Sequence, residues 1–64
     1  MTFAEKFKTA RKNAGLSQQQ IADALGLDRS AIAHYENGDS MPALKNIIKV
    51  CKLLNLSVEE LMEE

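Results

Sequence analysis

Three polar residues near the middle of the chain could do chemistry: Arg29, Ser30 and His34. In a helix that turns 100° per residue they share one face, where they offer hydrogen-bond donors and acceptors. No second metal ligand and no nucleophile stands at helical spacing from His34. Ser17 and Ser57 suit helix caps, because no base is placed to activate either hydroxyl. We therefore expect a polar recognition surface and no catalytic residue, metal site or cofactor.

The totals of the chain indicate one small globular domain, residues 1–64. Its single cysteine, Cys51, lies in an apolar helical pattern and suits the core. Neither a signal peptide nor an apolar run long enough to cross a membrane is present, so cytoplasmic location is expected. The net charge of −1 counts against a generic basic nucleic-acid binder. The charge is uneven, however, with positive excess in residues 1–15 and 42–56 and acidity concentrated in residues 57–64.

Hydrophobic periodicity predicts an all-α chain of five short helices that form a compact bundle. The helices are expected over residues 3–14, 18–25 and 29–36, from near Pro42, and over 58–62. Three helix starts carry the capping-box pattern, at Thr2 with Glu5, Ser17 with Gln20, and Ser57 with Glu60. Asp28 is expected to cap the third helix.

Three of the helices carry apolar residues that should face the core, and those of the second helix are Ile21, Ala22 and Leu25. The stripe of the first helix is Phe3, Phe7, Ala10 and Ala14. The stripe of the fourth helix is Leu44, Ile47, Ile48, Cys51 and Leu54.

Only Gly26, Leu27 and Asp28 separate the second and third helices. Helices joined by so short a turn must cross steeply, and the residues where they meet must be small. Ala22 is small at that point, Gly26 can adopt the left-handed backbone, and Ile32 can fill the space between the helices. This arrangement is the one that a DNA-binding helix-turn-helix requires.

Taken together, the motifs resemble the phage-repressor or Cro-type helix-turn-helix family, also called the XRE family. The resemblance runs from about residue 4 to residue 62 and implies a lambda-repressor-like fold. It rests on Arg11 with Gly15-Leu16-Ser17-Gln18, on Ile21-Ala22, Leu25-Gly26 and Ile32, on Tyr35-Glu36-Asn37-Gly38, and on Pro42, Leu44 and the segment 56–61.

The resemblance implies roles for individual residues. The third helix matches the recognition helix, whose base-reading candidates here are Arg29, Ser30, Ala33 and His34. Gln18 matches a glutamine that holds a DNA phosphate, although it could also be only a good helix start. The other phosphate candidates are Asn37, the Gly38 amide and Lys45. Arg11 and Glu36 match a partly buried ion pair with a structural role.

The function implied is that of a bacterial or phage regulator of transcription that binds specific double-stranded DNA. We expect a repressor that binds a near-palindromic operator as a homodimer. Candidates for the dimer surface are Leu56, Val58, Leu61 and Met62, which could instead close the domain's own core.

Two departures from the family suggest modest affinity of the monomer. An acidic loop, Asp39-Ser40-Met41, follows the Asn-Gly pair, and the recognition helix has one fixed positive charge. The same acidity motivates an alternative, a protein-interaction module such as an antitoxin or an antirepressor-like partner, in which DNA binding is secondary.

Overall fold

The computed structural model describes residues 1–63 and contains, within them, five α-helices and no strand. These are α1 (Phe3–Asn13), α2 (Gln18–Leu25), α3 (Arg29–Asn37), α4 (Leu44–Leu54) and α5 (Val58–Met62). The predicted all-α class and five-helix order are confirmed. The fourth helix begins later than expected, because Pro42 is buried before it and Ala43, in extended conformation, is its N-cap.

Helix capping follows the sequence pattern at two starts and departs from it at two others. Thr2 and Ser17 form complete capping boxes with Glu5 and Gln20. Ser57 accepts the Glu60 N–H at 3.0 Å, but the structure records no reciprocal bond there. Asp28 occupies the N-cap of α3 without a side-chain hydrogen bond, so its predicted capping role is wrong in that respect.

The core lies between all five helices, and α4 contributes Ile47, Val50, Cys51 and Leu54 to it while it packs against α2 and α5. Its largest fully buried side chains are Phe7, Ile21, Ile32, Val50 and Leu61. Burial of these aliphatic and aromatic groups is the main driving force for the folding of a chain of this size.

The inward face of α4 is the predicted one only in part, since Ile47, Cys51 and Leu54 are buried as expected. Leu44 and Ile48 are 67% and 40% exposed, and Asn46 and Val50 are buried in their place. Both patterns satisfy a period of 3.6 residues, and the packing against α2 and α5 selects the second. In α1, Ala14 is likewise exposed, whereas Ala4 and Arg11 are buried.

None of the helices within residues 1–63 has the length and apolarity needed to cross a bilayer.

Candidate nucleic-acid interface

The turn between α2 and α3 brings the two helices into direct contact. Gly26 has φ 71° and ψ 32°, the left-handed conformation that a side chain would disfavour. The Leu27 N–H then donates to the Ala22 carbonyl at 2.9 Å, which closes the end of α2. Ala22 and Ile32 are fully buried in the core. The helix-turn-helix was predicted from Ala22, Gly26 and Ile32, and in the structure these residues form its turn and part of its buried core.

Helix α3 is held by its inner face and presents a polar outer face. Ile32 is fully buried, and the Tyr35 ring packs edge-on against Phe7 with 6.1 Å between centroids. On the outer face Arg29, Ser30 and His34 are exposed, whereas Ala33 is half-buried. The predicted base-reading set thus lies on one side of a firmly packed helix, and its contacts with bases stay a prediction.

A chain of hydrogen bonds runs beneath this face and connects α1, α2 and α3. The Arg11 Nε donates to Glu36 Oε2 at 2.6 Å, and its Nη2 donates to Glu36 Oε1 at 3.1 Å. The Gln18 Nε2 donates to the same Glu36 Oε1 at 3.2 Å. The Arg29 Nη1 donates to Gln18 Oε1 at 3.4 Å. Glu36 is therefore the common acceptor below the polar face.

Sequence reasoning anticipated only the Arg11–Glu36 pair of this chain. The Gln18 side chain, on α2, bonds to two residues of α3 that are distant in sequence. Glu36 is 18 positions away and Arg29 is 11 positions away. No local pattern signals them, although the short turn that places the start of α2 beside α3 is a partial cue.

His34 has a partner that the sequence pattern did not indicate. Its Nδ1 lies 3.3 Å from Asp39 Oδ2, and both side chains are largely exposed. Gly38, at φ 82°, turns the chain back so that the acidic loop meets the end of α3. The loop thereby places a negative charge beside the polar face.

The remaining phosphate candidates border the polar face or lie beyond it on α4. Asn37 and Lys45 are exposed. The Gly38 N–H donates to the Tyr35 carbonyl at 3.4 Å as part of the helix end. Phosphate binding by Gln18, Asn37, Gly38 and Lys45 stays a prediction.

Of the four dimer candidates, one is excluded by burial. Leu61 is 1% exposed and belongs to the domain's own core, so its predicted place on a dimer surface is wrong. Leu56 is half-buried against that core. Val58 and Met62 are 38% and 40% exposed and remain available.

The groups with classical metal or nucleophile chemistry have ordinary surroundings. Among residues 1–63 no three His, Cys, Asp or Glu side chains lie close enough to hold a metal ion. Cys51 is buried, and this burial raises the pKa of its thiol. A thiol in that environment stays protonated and behaves as a small apolar core group.

Comparison with protein families matches the chain, over residues 7–61, to the family described as helix-turn-helix. Among curated proteins it is 38% identical over 61 residues to the SPbeta prophage-derived uncharacterized HTH-type transcriptional regulator YonR of Bacillus subtilis strain 168. That alignment covers 95% of this chain and 56% of YonR. The chain spans about half the length of the curated relatives that it matches first.

Two solved structures match along nearly the whole of both chains. The restriction-modification controller protein C.AhdI from Aeromonas hydrophila has a TM-score of 0.84 at 35% identity, covering 94% of this chain and 91% of that one. The biofilm master regulator SinR, solved in complex with DNA, has a TM-score of 0.81 at 28% identity, covering 94% and 97%. These likenesses confirm the predicted fold class.

Proposed function

The chain belongs to the helix-turn-helix family, and from that premise we propose that it binds specific double-stranded DNA and regulates transcription. Its relatives support this proposal, since YonR is named as a transcriptional regulator and the structure of SinR was solved in complex with DNA. We also propose a repressor, in line with the phage-repressor resemblance, that acts in the cytoplasm.

The observation that carries the proposal is the polar outer face of α3. Arg29 can donate two bonds to the O6 and N7 acceptors of one guanine, the commonest specific contact in the major groove. Ser30 can donate or accept, and His34 can donate to a purine acceptor. The Ala33 methyl is suited to a thymine methyl group. Because Ile32 and Tyr35 anchor the opposite side, the helix backbone that carries these groups is held in place.

The surrounding phosphate contacts would orient α3 in the groove without reading sequence. Gln18 lies at the start of α2, where backbone N–H groups and an amide donor favour an anion. Asn37, the Gly38 amide and Lys45 would add contacts from the end of α3 and from α4. Each phosphate neutralised by a cation should add about −0.9 to the slope of log K against log salt.

The modest charge of one domain supports the proposal that the chain binds DNA as a homodimer. With one arginine on α3 and an acidic loop beside it, a single copy has weak attraction for DNA. Two copies related by a two-fold axis would read half-sites about 34 Å apart on a near-palindrome. Val58 and Met62, with half-buried Leu56 beside them, are the residues we assign to the surface between copies.

The experiment that tests this proposal is selection of bound duplexes from a random pool at low salt. Enrichment of an inverted repeat by the native chain is the expected result, and Arg29→Ala should select the same repeat with its preference lost at one base pair of each half-site. The matched control is Lys8→Ala, which removes an exposed charge from α1. A pool that stays unenriched near 50 mM salt, where phosphate contacts are strong, would overturn the proposal. That result would favour the protein-interaction module.

A further inference from the structure

Glu36 lies at the centre of the hydrogen bonds below the polar face of α3. Its side chain is 2% exposed, so its carboxylate must find partners inside the protein. Arg11 supplies two donors, at 2.6 and 3.1 Å, and Gln18 supplies the third, at 3.2 Å. The contact with Gln18 is not needed to neutralise the charge, because Arg11 already does so. It therefore points to a second role for Glu36.

The chemistry of a carboxylate determines how the Gln18 amide is turned. An ionised carboxylate only accepts hydrogen bonds, so the amide must direct its NH₂ group at Glu36. The amide oxygen then faces the other way, where it accepts from Arg29 Nη1 at 3.4 Å. Without a buried acceptor at this place, either end of the amide could face Arg29, and the NH₂ end would repel the guanidinium.

We infer that Glu36 is a positioning residue for DNA reading, because it orients Gln18 so that the amide oxygen holds the Arg29 guanidinium. An exposed arginine has many rotamers, and restricting them before binding reduces the entropy lost when DNA binds. The inference assigns Gln18 a part in specificity in addition to its proposed phosphate contact, for which its second N–H remains. It rests on the proposed function, since Arg29 must read DNA for its orientation to matter.

The substitution Glu36→Gln tests the orientation directly. The Arg11 Nε makes the shortest bond, so the new amide oxygen should take that place and its NH₂ group should face Gln18. Two donors would then meet, the Gln18 amide should turn over, and its own NH₂ group should repel Arg29. Gln18→Met, which keeps the length of the side chain without the amide, gives the same loss without altering the buried pair. Gln19→Ala is the matched control, because the Gln19 amide donates to Asp23 and not to Glu36.

The first readout needs no DNA: ¹⁵N relaxation of the Arg29 Nε–H group in each folded variant. The order parameter of this group should fall in Gln18→Met and in Glu36→Gln and stay unchanged in Gln19→Ala. An unchanged value in Gln18→Met overturns the inference even if Glu36→Gln fails to fold. Because no nucleic acid is present, this result does not depend on the proposed function.

The second readout is base preference on the duplex that the native chain selects. At the one base pair whose preference Arg29→Ala abolishes, discrimination should fall about tenfold in Gln18→Met and Glu36→Gln. Preference at the other base pairs should persist. Equal weakening on every sequence would mean that Gln18 contacts phosphate only, and it would overturn the inference. If the native chain selects no duplex, the proposed function fails, whereas the relaxation result still decides how Gln18 and Arg29 are arranged.

Discussion

The guanidinium of Arg11, near the end of α1, forms an ion pair with the carboxylate of Glu36, near the end of α3. The distance between Nε and Oε2 is 2.6 Å. The two side chains are only 11% and 2% exposed. The remaining nitrogen, Nη1, donates to the Leu16 carbonyl at 2.8 Å, in the turn that leads into α2. One side chain thus joins three of the elements on which the candidate interface depends.

Removing one member of this pair should destabilise the whole domain. Arg11→Ala leaves the Glu36 carboxylate buried with Gln18 as its one side-chain donor, and such losses cost about 3–5 kcal/mol. We expect the free energy of unfolding, measured in urea, to fall by that amount. Lys12→Ala, which removes an exposed charge from the next position, should change it by less than about 0.5 kcal/mol. Similar midpoints for the two variants would contradict a structural role for the pair.

The elements of the fold could be predicted because their signals are local. Capping residues, glycines and apolar spacing lie within a few positions of the helix ends that they specify. Part of the inward face of α4 could not be predicted in this way, because Leu44 and Ile48 fit the helical period as well as Asn46 and Val50. Only the neighbouring helices decide between them.

The candidate site likewise has one part that the local sequence predicts and another that depends on how the helices pack. The exposed face of α3 follows from its 100° rotation, so its residues could be named from the sequence. The bonds that Gln18 makes to Glu36 and Arg29 depend on how α2 lies against α3. For the same reason the sequence did not show that Leu61 is buried whereas Met62, its neighbour in a five-residue helix, is exposed.

Two helix starts whose N-cap residues are both of a favoured type should respond differently to alanine. Ser17 accepts the Gln20 N–H at 3.0 Å, so Ser17→Ala should lower the free energy of unfolding by about 1 kcal/mol. Asp28 makes no side-chain cap bond, so Asp28→Ala should lose only its interaction with the helix dipole, about 0.3–1 kcal/mol, and less in high salt. Urea unfolding at low and high salt separates the two. A salt-independent loss at Asp28 larger than that at Ser17 would contradict the observed caps.

The capping box of Thr2 and Glu5 should lower the pKa of the Glu5 carboxyl group, so that its contribution to stability is lost in acid. The Thr2 backbone N–H and, to a smaller extent, its hydroxyl donate to Glu5 and lower the pKa of that carboxyl group. A lowered carboxyl pKa means that its contribution to stability is complete above the unfolded-chain pKa and is lost as the pH falls through the folded value. NMR titration should place the Glu5 pKa below its ordinary value.

Thr2→Ala should raise the Glu5 pKa only part of the way, because the backbone bond, the larger cause, remains. Ser57→Ala, at the start of α5, should leave it unchanged and serves as the control. A Glu5 pKa at its ordinary value in the native chain would show that the box does not persist in solution.

The base-reading role of Arg29 predicts a loss confined to one position of the operator. Arg29→Ala should weaken binding to the selected duplex by about 1–3 kcal/mol and relax the preference at one base pair. Lys45→Ala, at a phosphate candidate, should instead weaken all sequences alike and reduce the salt slope by about 1. Titrations of both variants on the selected duplex and on single-base changes of it would show the contrast. Uniform weakening by Arg29→Ala would be incompatible with base reading.

Dimerisation through α5 predicts a defect that appears on whole operators and not on half-sites. Met62→Glu places a charge on a 40% exposed apolar position, so two copies related by a two-fold axis would bring like charges together. We expect this variant to sediment as a monomer at concentrations where the native chain is dimeric, and to lose affinity for the inverted repeat. Leu44→Glu, at a more exposed apolar position on α4, is the matched control and should remain dimeric. If Leu44→Glu dissociates the dimer and Met62→Glu does not, the contact between copies lies on α4, where Leu44 and Ile48 form the exposed apolar face.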